Sequence, residues 1–69
     1  MNLSNEDKLS ASIAMQQGDT FKRGDVLLFP LLPTEYCVQK TNGPVTGENR
    51  VITTSWSEAI SAFEKFWEN

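Results

Sequence analysis

Histidine is absent from this sequence of 69 residues, and cysteine occurs once, at Cys37. Without histidine, the chain lacks the most common general base and the usual catalytic partner of a serine or cysteine nucleophile. A single cysteine without histidine cannot form a Cys/His zinc site, nor can it form an intrachain disulfide. We therefore expect no catalytic residues, no metal site and no cofactor, and we predict that the protein is not an enzyme.

Glycine and long apolar runs are also scarce. The four glycines match neither the G-x-x-x-x-G-K nor the G-x-G-x-x-G spacing of phosphate-binding loops. The longest apolar run, residues 26–32, is interrupted by Pro30 and is far shorter than the roughly 20 residues that cross a membrane. The first residues lack the basic and apolar segments of a secretory signal. Together with the single cysteine, these absences predict a cytoplasmic protein with no membrane contact.

Basic residues are few, since six of them oppose nine acidic residues and the net charge is −3. Four of the cations lie in the middle of the chain, at Lys22, Arg23, Lys40 and Arg50. Affinity for a phosphate backbone requires several cations acting together, and these four are interspersed with acidic residues. A weak single-stranded nucleic-acid binder that uses segment 22–50 is therefore the alternative function and not the first one.

The C-terminal segment has the clearest pattern in the chain. Its large apolar side chains recur at spacings of three and four, as on one side of an amphipathic helix. These residues are Trp56, Ala59, Ile60, Phe63, Phe66 and Trp67. Ser55 and Glu58 form the S-x-x-E pattern of a capping box, in which each side chain accepts a hydrogen bond from the other residue's main-chain N–H. We predict a helix over residues 55–68 whose apolar side is covered by a small sheet or by a partner protein.

A second helix is predicted near the N-terminus. Ser4 is followed by acidic residues, which suit the first turn of a helix, and Gly18 suits its end. The apolar side of residues 5–17 is thin, with Leu9 and Ile13 as its main members. Because terminal segments with little to bury are often mobile, residues 1–18 have two interpretations, a short helix or a mobile arm.

The segment between the two helices is predicted to form a sheet over residues 19–54. Residues 26–29, 35–41 and 50–54 are rich in β-formers and are separated by turn-forming residues. Residues 20–23 fit a short extended piece or an open loop. Cys37 lies in the second strand, where we expect a packed and unreactive thiol. The predicted fold class is α+β in one domain, residues 1–69, with a three-stranded antiparallel meander packed against the C-terminal helix.

The simplest packing places the C-terminal helix across one face of this meander. Its apolar stripe then meets Leu28, Tyr36, Val38 and Ile52 or their neighbours. The opposite face is left for solvent, for the N-terminal helix or for another chain, and we expect it to be covered because residues 26–29 are continuously apolar.

Two resemblances add to this interpretation. The F-x-x-G-D-V-L stretch of residues 21–27 resembles the first strand of small SH3-like barrels, which implies such a barrel as the alternative fold. The compact, acidic and cysteine-poor format is similar to that of small accessory proteins of phages and other mobile elements. That similarity implies an accessory or inhibitory protein that docks on a larger partner.

Aromatic residues are abundant, with seven in a chain of this length. Little volume in so small a domain lies more than one layer below the surface. Phe66 and Trp67, adjacent in the last helical turn, point about 100° apart, so we expect one of them at the surface. We predict a non-enzymatic protein–protein interaction module that binds a protein partner or a second copy of itself. Its candidate partner-binding residues are Trp67, Phe66, Phe21 and Tyr36.

Overall fold

The computed structural model describes residues 2–31, 34–42 and 48–68. These residues form two helices and a four-stranded antiparallel sheet, which confirms the predicted α+β class. In chain order the elements are α1 (Asn5–Gln17), β1 (Phe21–Arg23), β2 (Val26–Leu31), β3 (Glu35–Lys40), β4 (Arg50–Thr53) and α2 (Trp56–Glu68). Neither described helix has both the length and the apolar character needed to cross a membrane.

The sheet has one strand more than the sequence predicted. Residues 21–23 form β1, which pairs antiparallel with β2 in the register Phe21↔Leu28 and Arg23↔Val26. The connection is a two-residue loop whose first residue, Gly24, has φ +58, a conformation that favours tight hairpins. A strand of three residues is too short to show the period of two by which strands are identified. The extended piece expected at this position is therefore an edge strand.

The strands follow the order β1-β2-β3-β4, and each pairs antiparallel with its neighbour in the chain. Among the described residues, β1 and β4 do not pair with each other, so the sheet is open. This arrangement is the predicted meander with one strand added at its edge. The SH3-like barrel, the alternative fold, requires a closed set of strands and does not describe this sheet.

Helix α1 begins and ends where the sequence predicts. Ser4 Oγ accepts a hydrogen bond of 3.1 Å from the main-chain N–H of Asp7. At the other end Gly18 has φ 75, and its N–H points to the carbonyl oxygens of Ala14 and Met15. Of the two interpretations of the N-terminal segment, the structure has the helix.

The start of α2 differs in one respect from the predicted capping box. Ser55 Oγ accepts from the main-chain N–H of Glu58 at 3.3 Å, as expected. The return bond is absent, because the N–H of Ser55 donates to Thr53 Oγ1 at 3.0 Å and the Thr53 hydroxyl donates to Glu58 Oε2 at 2.9 Å. Thr53 therefore connects the two capping residues through its hydroxyl.

Both helices pack on the same face of the sheet. Phe63 and Ala59 of α2 and Ala11 of α1 are completely buried, and they belong to one core with Leu28 and Val38 of the sheet. Helix α1 thus lies beside α2. The sequence offered α1 as one possible cover for the opposite face, and α1 does not cover it. Of the expected contacts of α2 with Ile52 or its neighbours, the neighbour makes the contact and Ile52 does not. Val51 packs on the core instead, since adjacent strand residues point to opposite faces.

Candidate protein-binding surfaces

The sheet has an outer face that points away from both helices. In β2, Val26 and Leu28 are core residues, so the alternating residues Leu27 and Phe29 point outward. We define the outer face by this alternation and by the strand register. Its apolar residues are Leu27, Phe29, Leu31, Cys37 and Ile52. Its polar residues are Lys22, Glu35, Gln39 and Arg50.

An apolar row crosses the middle of the outer face. The register aligns Phe29, Cys37 and Ile52 side by side on three adjacent strands. Cys37 is completely buried although it lies outside the helix-covered core, and the larger residues Phe29 and Ile52 flank it in the register. Ile52, on the edge strand β4, is 48% exposed. The row is therefore an apolar surface that no described residue shields fully.

A polar row lies beside the apolar row. Lys22, Leu27, Gln39 and Arg50 are aligned across all four strands, whereas Glu35 lies opposite Leu31 at the other end of the face. The outer face is thus cationic at one end and acidic at the other. Arg50 Nε is buried and has no hydrogen-bond partner within the described residues. A buried donor without an acceptor is costly.

The four cations proposed for nucleic-acid binding do not share one surface. Lys22 and Arg50 lie on the outer face, whereas Arg23 and Lys40 occupy positions that alternate toward the helices. The guanidinium of Arg23 is 4.4 Å from the centroid of the Phe21 ring, and it is 3.1 Å from Asp7 Oδ1. Arg23 therefore forms internal contacts between α1 and β1.

The ion pair between Arg23 and Asp7 also affects the pKa of the Asp7 carboxyl group. Desolvation alone would raise the pKa of Asp7, but hydrogen bonds from Arg23 and Ser4 and the charge of Arg23 outweigh it and lower the pKa. Asp7 is consequently kept ionised to a lower pH than an isolated aspartate.

A cleft of about 240 Å³ lies between the C-terminal half of α1, the start of α2, the end of β2 and the start of β3. Its apolar lining residues are Met15, Pro30, Tyr36 and Trp56, and its polar lining residues are Ser12, Gln16 and Glu35. The rings of Tyr36 and Trp56 meet edge to face, with centroids 5.2 Å apart and planes at 64°. Two aromatic rings and one carboxylate residue are therefore gathered around a small open space.

The structure separates the four residues predicted to bind a partner. Phe66 is 7% exposed and Phe21 is 5% exposed, so both are core residues in this conformation. Trp67 is half-buried, with its ring centroid 6.1 Å from that of Phe63. Tyr36 is half-buried beside the cleft. Trp67 lies in the last turn of α2, whereas Trp56, the partner of Tyr36, begins the helix about 17 Å away along its axis.

The sequence did not identify the outer face as a site, because its pattern left open whether Ile52 or a neighbouring residue packs against α2. The signal was available in the continuous apolar run of β2, which indicates a strand with apolar residues on both faces. A second exposed apolar pair lies on α1, where Leu9 is 63% and Ile13 is 45% exposed. Because these two residues lie on α1 and not on the outer face, substitutions of them serve as controls for substitutions on the outer face.

The described residues contain no group of three side chains suited to hold a metal ion. Comparison of the chain with protein-family models, with curated proteins and with solved structures finds no match. The outer face and the cleft are thus the two candidate sites that the geometry provides.

Proposed function

We propose that this chain is a non-enzymatic protein-interaction module that docks on a larger protein through the outer face of its sheet. The observation that carries this proposal is the apolar row of Phe29, Cys37 and Ile52, which both helices leave uncovered. Cys37 is already completely buried, so Phe29 and Ile52 provide the apolar surface that a partner would cover. Transfer of such a side chain from water into an interface releases at most about 1.5 to 3 kcal/mol when it becomes fully buried. The row is therefore able to supply the apolar centre of a binding surface.

The polar residues around this row have the arrangement of an interface rim. Lys22 and Arg50 lie at one end of the face and Glu35 at the other. Lys22 and Arg50 give this end of the face its positive charge. A partner surface with acidic groups or main-chain carbonyls facing Arg50 would fit this end.

The size of the outer face favours a larger partner over a second copy of the chain. Four strands of this length present at most roughly 400 Å² in projection. Stable interfaces bury about 800 Å² on each partner. Two copies packed face to face would provide only this small contact, whereas a larger protein also reaches the strand edges and loops around it. The compact acidic format, similar to that of phage accessory proteins, is consistent with inhibitory docking on a larger enzyme.

The matched pair Ile52→Lys and Ile13→Lys tests this proposal. Both isoleucines are similarly exposed, and both substitutions add one positive charge. Tagged wild type and both variants are used to capture proteins from a lysate of the source cells, and the retained proteins are identified by mass spectrometry. We expect a protein that binds wild type and Ile13→Lys but is lost with Ile52→Lys.

Two results would contradict the proposal. One is that every retained protein binds Ile52→Lys and Ile13→Lys equally. The other is a concentration-dependent doubling of mass in sedimentation that Ile52→Lys abolishes, since that would identify a second copy as the occupant. Folding of each variant is checked by circular dichroism, so that loss of binding is separated from loss of structure.

The second candidate function is binding of single-stranded nucleic acid on the same face. The observation that favours it is that Lys22 and Arg50 share one register row, next to the row of Phe29, since cations beside an aromatic ring suit a stacked base and its phosphate. Here Ile52→Lys would strengthen binding of an oligonucleotide, and Lys22→Glu with Arg50→Glu would abolish it. Lys8→Glu on α1 is the control for the change in charge.

A further inference from the structure

The two edges of the sheet differ in what their main chains offer. β1 and β4 are the end strands of the sheet, so each has one side that pairs with no strand among the described residues. Such a side presents main-chain N–H and C=O groups to which another extended segment can add. The direction of these groups follows from the alternation of hydrogen bonds in an antiparallel ladder.

At β4, two residues direct their main-chain groups away from the sheet. The N–H of Lys40 donates to the carbonyl oxygen of Asn49 at 2.9 Å, in line with the β3–β4 register. Because bonded and non-bonded pairs alternate from this point, Val51 bonds to β3, and its neighbours Arg50 and Ile52 do not. The N–H and C=O groups of these two neighbours therefore point outward, and no described main-chain group bonds to them.

At β1, the corresponding side is largely blocked. Arg23 and Val26 close a two-residue turn, and a closing pair of this kind is hydrogen-bonded. Lys22 is therefore the β1 residue whose main-chain groups point outward. The guanidinium of Arg23 donates to the carbonyl oxygen of Lys22 at 2.8 Å, and a lysine on an edge opposes the addition of a further strand. Of the two edges, β4 is thus the one to which a strand can add.

The spacing of the outward groups selects an extended segment as the ligand of this edge. Arg50 and Ile52 lie about 7 Å apart along the strand, and each offers one donor and one acceptor. An extended main chain repeats its own donors and acceptors at this interval, whereas a helix uses them internally. A β-strand of another molecule can therefore form hydrogen bonds with all of these groups.

The side chains at this edge select the residues of the added strand. Arg50 and Ile52 both lie on the outer face, and Ile52 is 48% exposed. Directly opposite residues of an antiparallel pair share one face, where apolar pairs and opposite charges are favourable. A strand antiparallel to β4 therefore suits an apolar residue opposite Ile52 and, two positions later in its own sequence, an acidic residue opposite Arg50.

A second copy of the chain fits this edge less well than a different protein does. Antiparallel pairing of β4 with β4 of another copy would produce one continuous sheet whose two outer faces point the same way. Neither copy would then cover the apolar row of the other. Contact along two strands of four residues is also far smaller than the roughly 800 Å² that each partner buries in a stable interface. A different protein can contact the edge and the outer face together, since Arg50 and Ile52 belong to both.

We propose that the partner adds an extended segment of its own chain to β4, antiparallel to residues 50–53, as a further strand of the sheet. The inference rests on the proposed docking at the outer face and specifies how the partner is held there. Main-chain hydrogen bonds to Arg50 and Ile52 fix the segment. Its alternate side chains then lie beside the apolar row.

The first test uses the capped peptide N-acetyl-Thr-Val-Thr-Glu-Thr amide, which can place its valine opposite Ile52 and its glutamate opposite Arg50. The peptide is titrated into the full chain, and the amide resonances are followed by NMR. We expect the amide protons of Arg50 and Ile52 to shift downfield and to become protected from exchange. The amide of Lys22, at the β1 edge, is expected to stay unchanged.

Two N-methylated forms of the peptide are controls of equal size. A methyl group on the valine nitrogen removes a donor that faces β4 and should weaken binding about fivefold or more. A methyl group on the central threonine nitrogen lies on the far side of the added strand and should change binding less than about twofold.

Four results would overturn the proposal. The first is that the peptide leaves the amides of Arg50 and Ile52 unchanged, and the second is that the two methyl groups weaken binding equally. The third is protection of these amides in the dilute free chain, since the edge would then already be paired. The fourth is protection that rises with the concentration of the chain alone, since a second copy would then occupy the edge.

Strand addition and docking at the outer face can fail separately. Chemical synthesis allows an ester to replace the amide of Ile52, which removes the outward donor but keeps the side chain, and the same change at Lys22 is the matched control. We expect a captured partner to bind about fivefold more weakly to the Ile52 ester and equally well to the Lys22 ester. A partner that is lost with Ile52→Lys but binds both esters alike would keep the docking proposal and overturn strand addition. Peptide pairing along β4 without any captured protein would support strand addition and count against docking.

Discussion

The main-chain N–H of Leu3 donates a hydrogen bond of 2.8 Å to Glu64 Oε2, across 61 residues of sequence. Leu3 is also buried in the core. Helix α1 contributes few other buried side chains, so this bond is one of the main attachments of the N-terminal segment to α2. The stability of α1 on the sheet therefore depends on an acceptor in α2.

Glu64→Ala should destabilise the protein by about 1 kcal/mol, because the partly buried N–H of Leu3 loses its acceptor. Glu64→Gln retains an acceptor oxygen and should cost less. Urea unfolding and exchange of the Leu3 amide measure the effect. Ser61→Ala, at an exposed position of the same helix, is the control, and an equal loss of stability in Ser61→Ala and Glu64→Ala would contradict the importance of this bond.

Gly24→Ala should cost more stability than Gly18→Ala. Both glycines have positive φ, at 58 and 75, so each substitution carries a conformational cost of about 1 kcal/mol. Only at Gly24 would the new Cβ meet another group, since it would lie 3.0 Å from Trp67 Nε1. We expect an additional cost of about 1 kcal/mol at Gly24, measured by chemical denaturation.

The double variant Gly24→Ala with Trp67→Phe separates the two contributions. If the indole causes the additional cost, Gly24→Ala becomes less destabilising once the indole is replaced by the smaller ring. An unchanged cost in that background would assign the whole effect to the backbone. Because Trp67 packs on Phe63, its replacement by alanine would weaken the fold and is a poor test of partner binding.

The ion pair of Asp7 and Arg23 makes stability depend on pH. The pKa of Asp7 is lowered in the folded state, so the pair stabilises the protein fully above the ordinary value of 3.8 and loses this effect as the pH falls through the folded pKa. Asp7→Asn should therefore destabilise the protein near neutral pH but have a smaller effect in acid. Thermal unfolding at about pH 6 and about pH 3 measures the difference. In an Arg23→Gln background, which lacks the partner charge, Asp7→Asn should show a weaker trend.

The thiol of Cys37 should react slowly with a thiol reagent in the folded protein. It is completely buried, and the register places Phe29 and Ile52 on either side of it. Ile52→Ala truncates one of these neighbours and should accelerate labelling about three- to tenfold. Ile13→Ala makes the same change on α1 and should leave the rate unaltered. Equal rates in the two variants would show that Ile52 does not shield the thiol.

The sequence alone determined both helices and most of the sheet. The spacing of apolar residues in α2 and the caps at Ser4, Gly18 and Ser55 are local signals, and local physical chemistry decides them. The continuous apolar run of β2 likewise indicated a strand with two apolar faces. The absence of histidine, and hence of the most common catalytic base, is evident from the sequence without any structure.

Only the tertiary structure decided which face each residue occupies. The register placed Val51 in the core and Ile52 outside it, and a shift of one residue would have exchanged them. Packing of both helices on one face buried Phe21 and Phe66 and left the outer face without a helix among the described residues. The cleft at Tyr36 and Trp56 joins four elements. Such choices depend on contacts between distant segments, which local propensity and spacing do not specify.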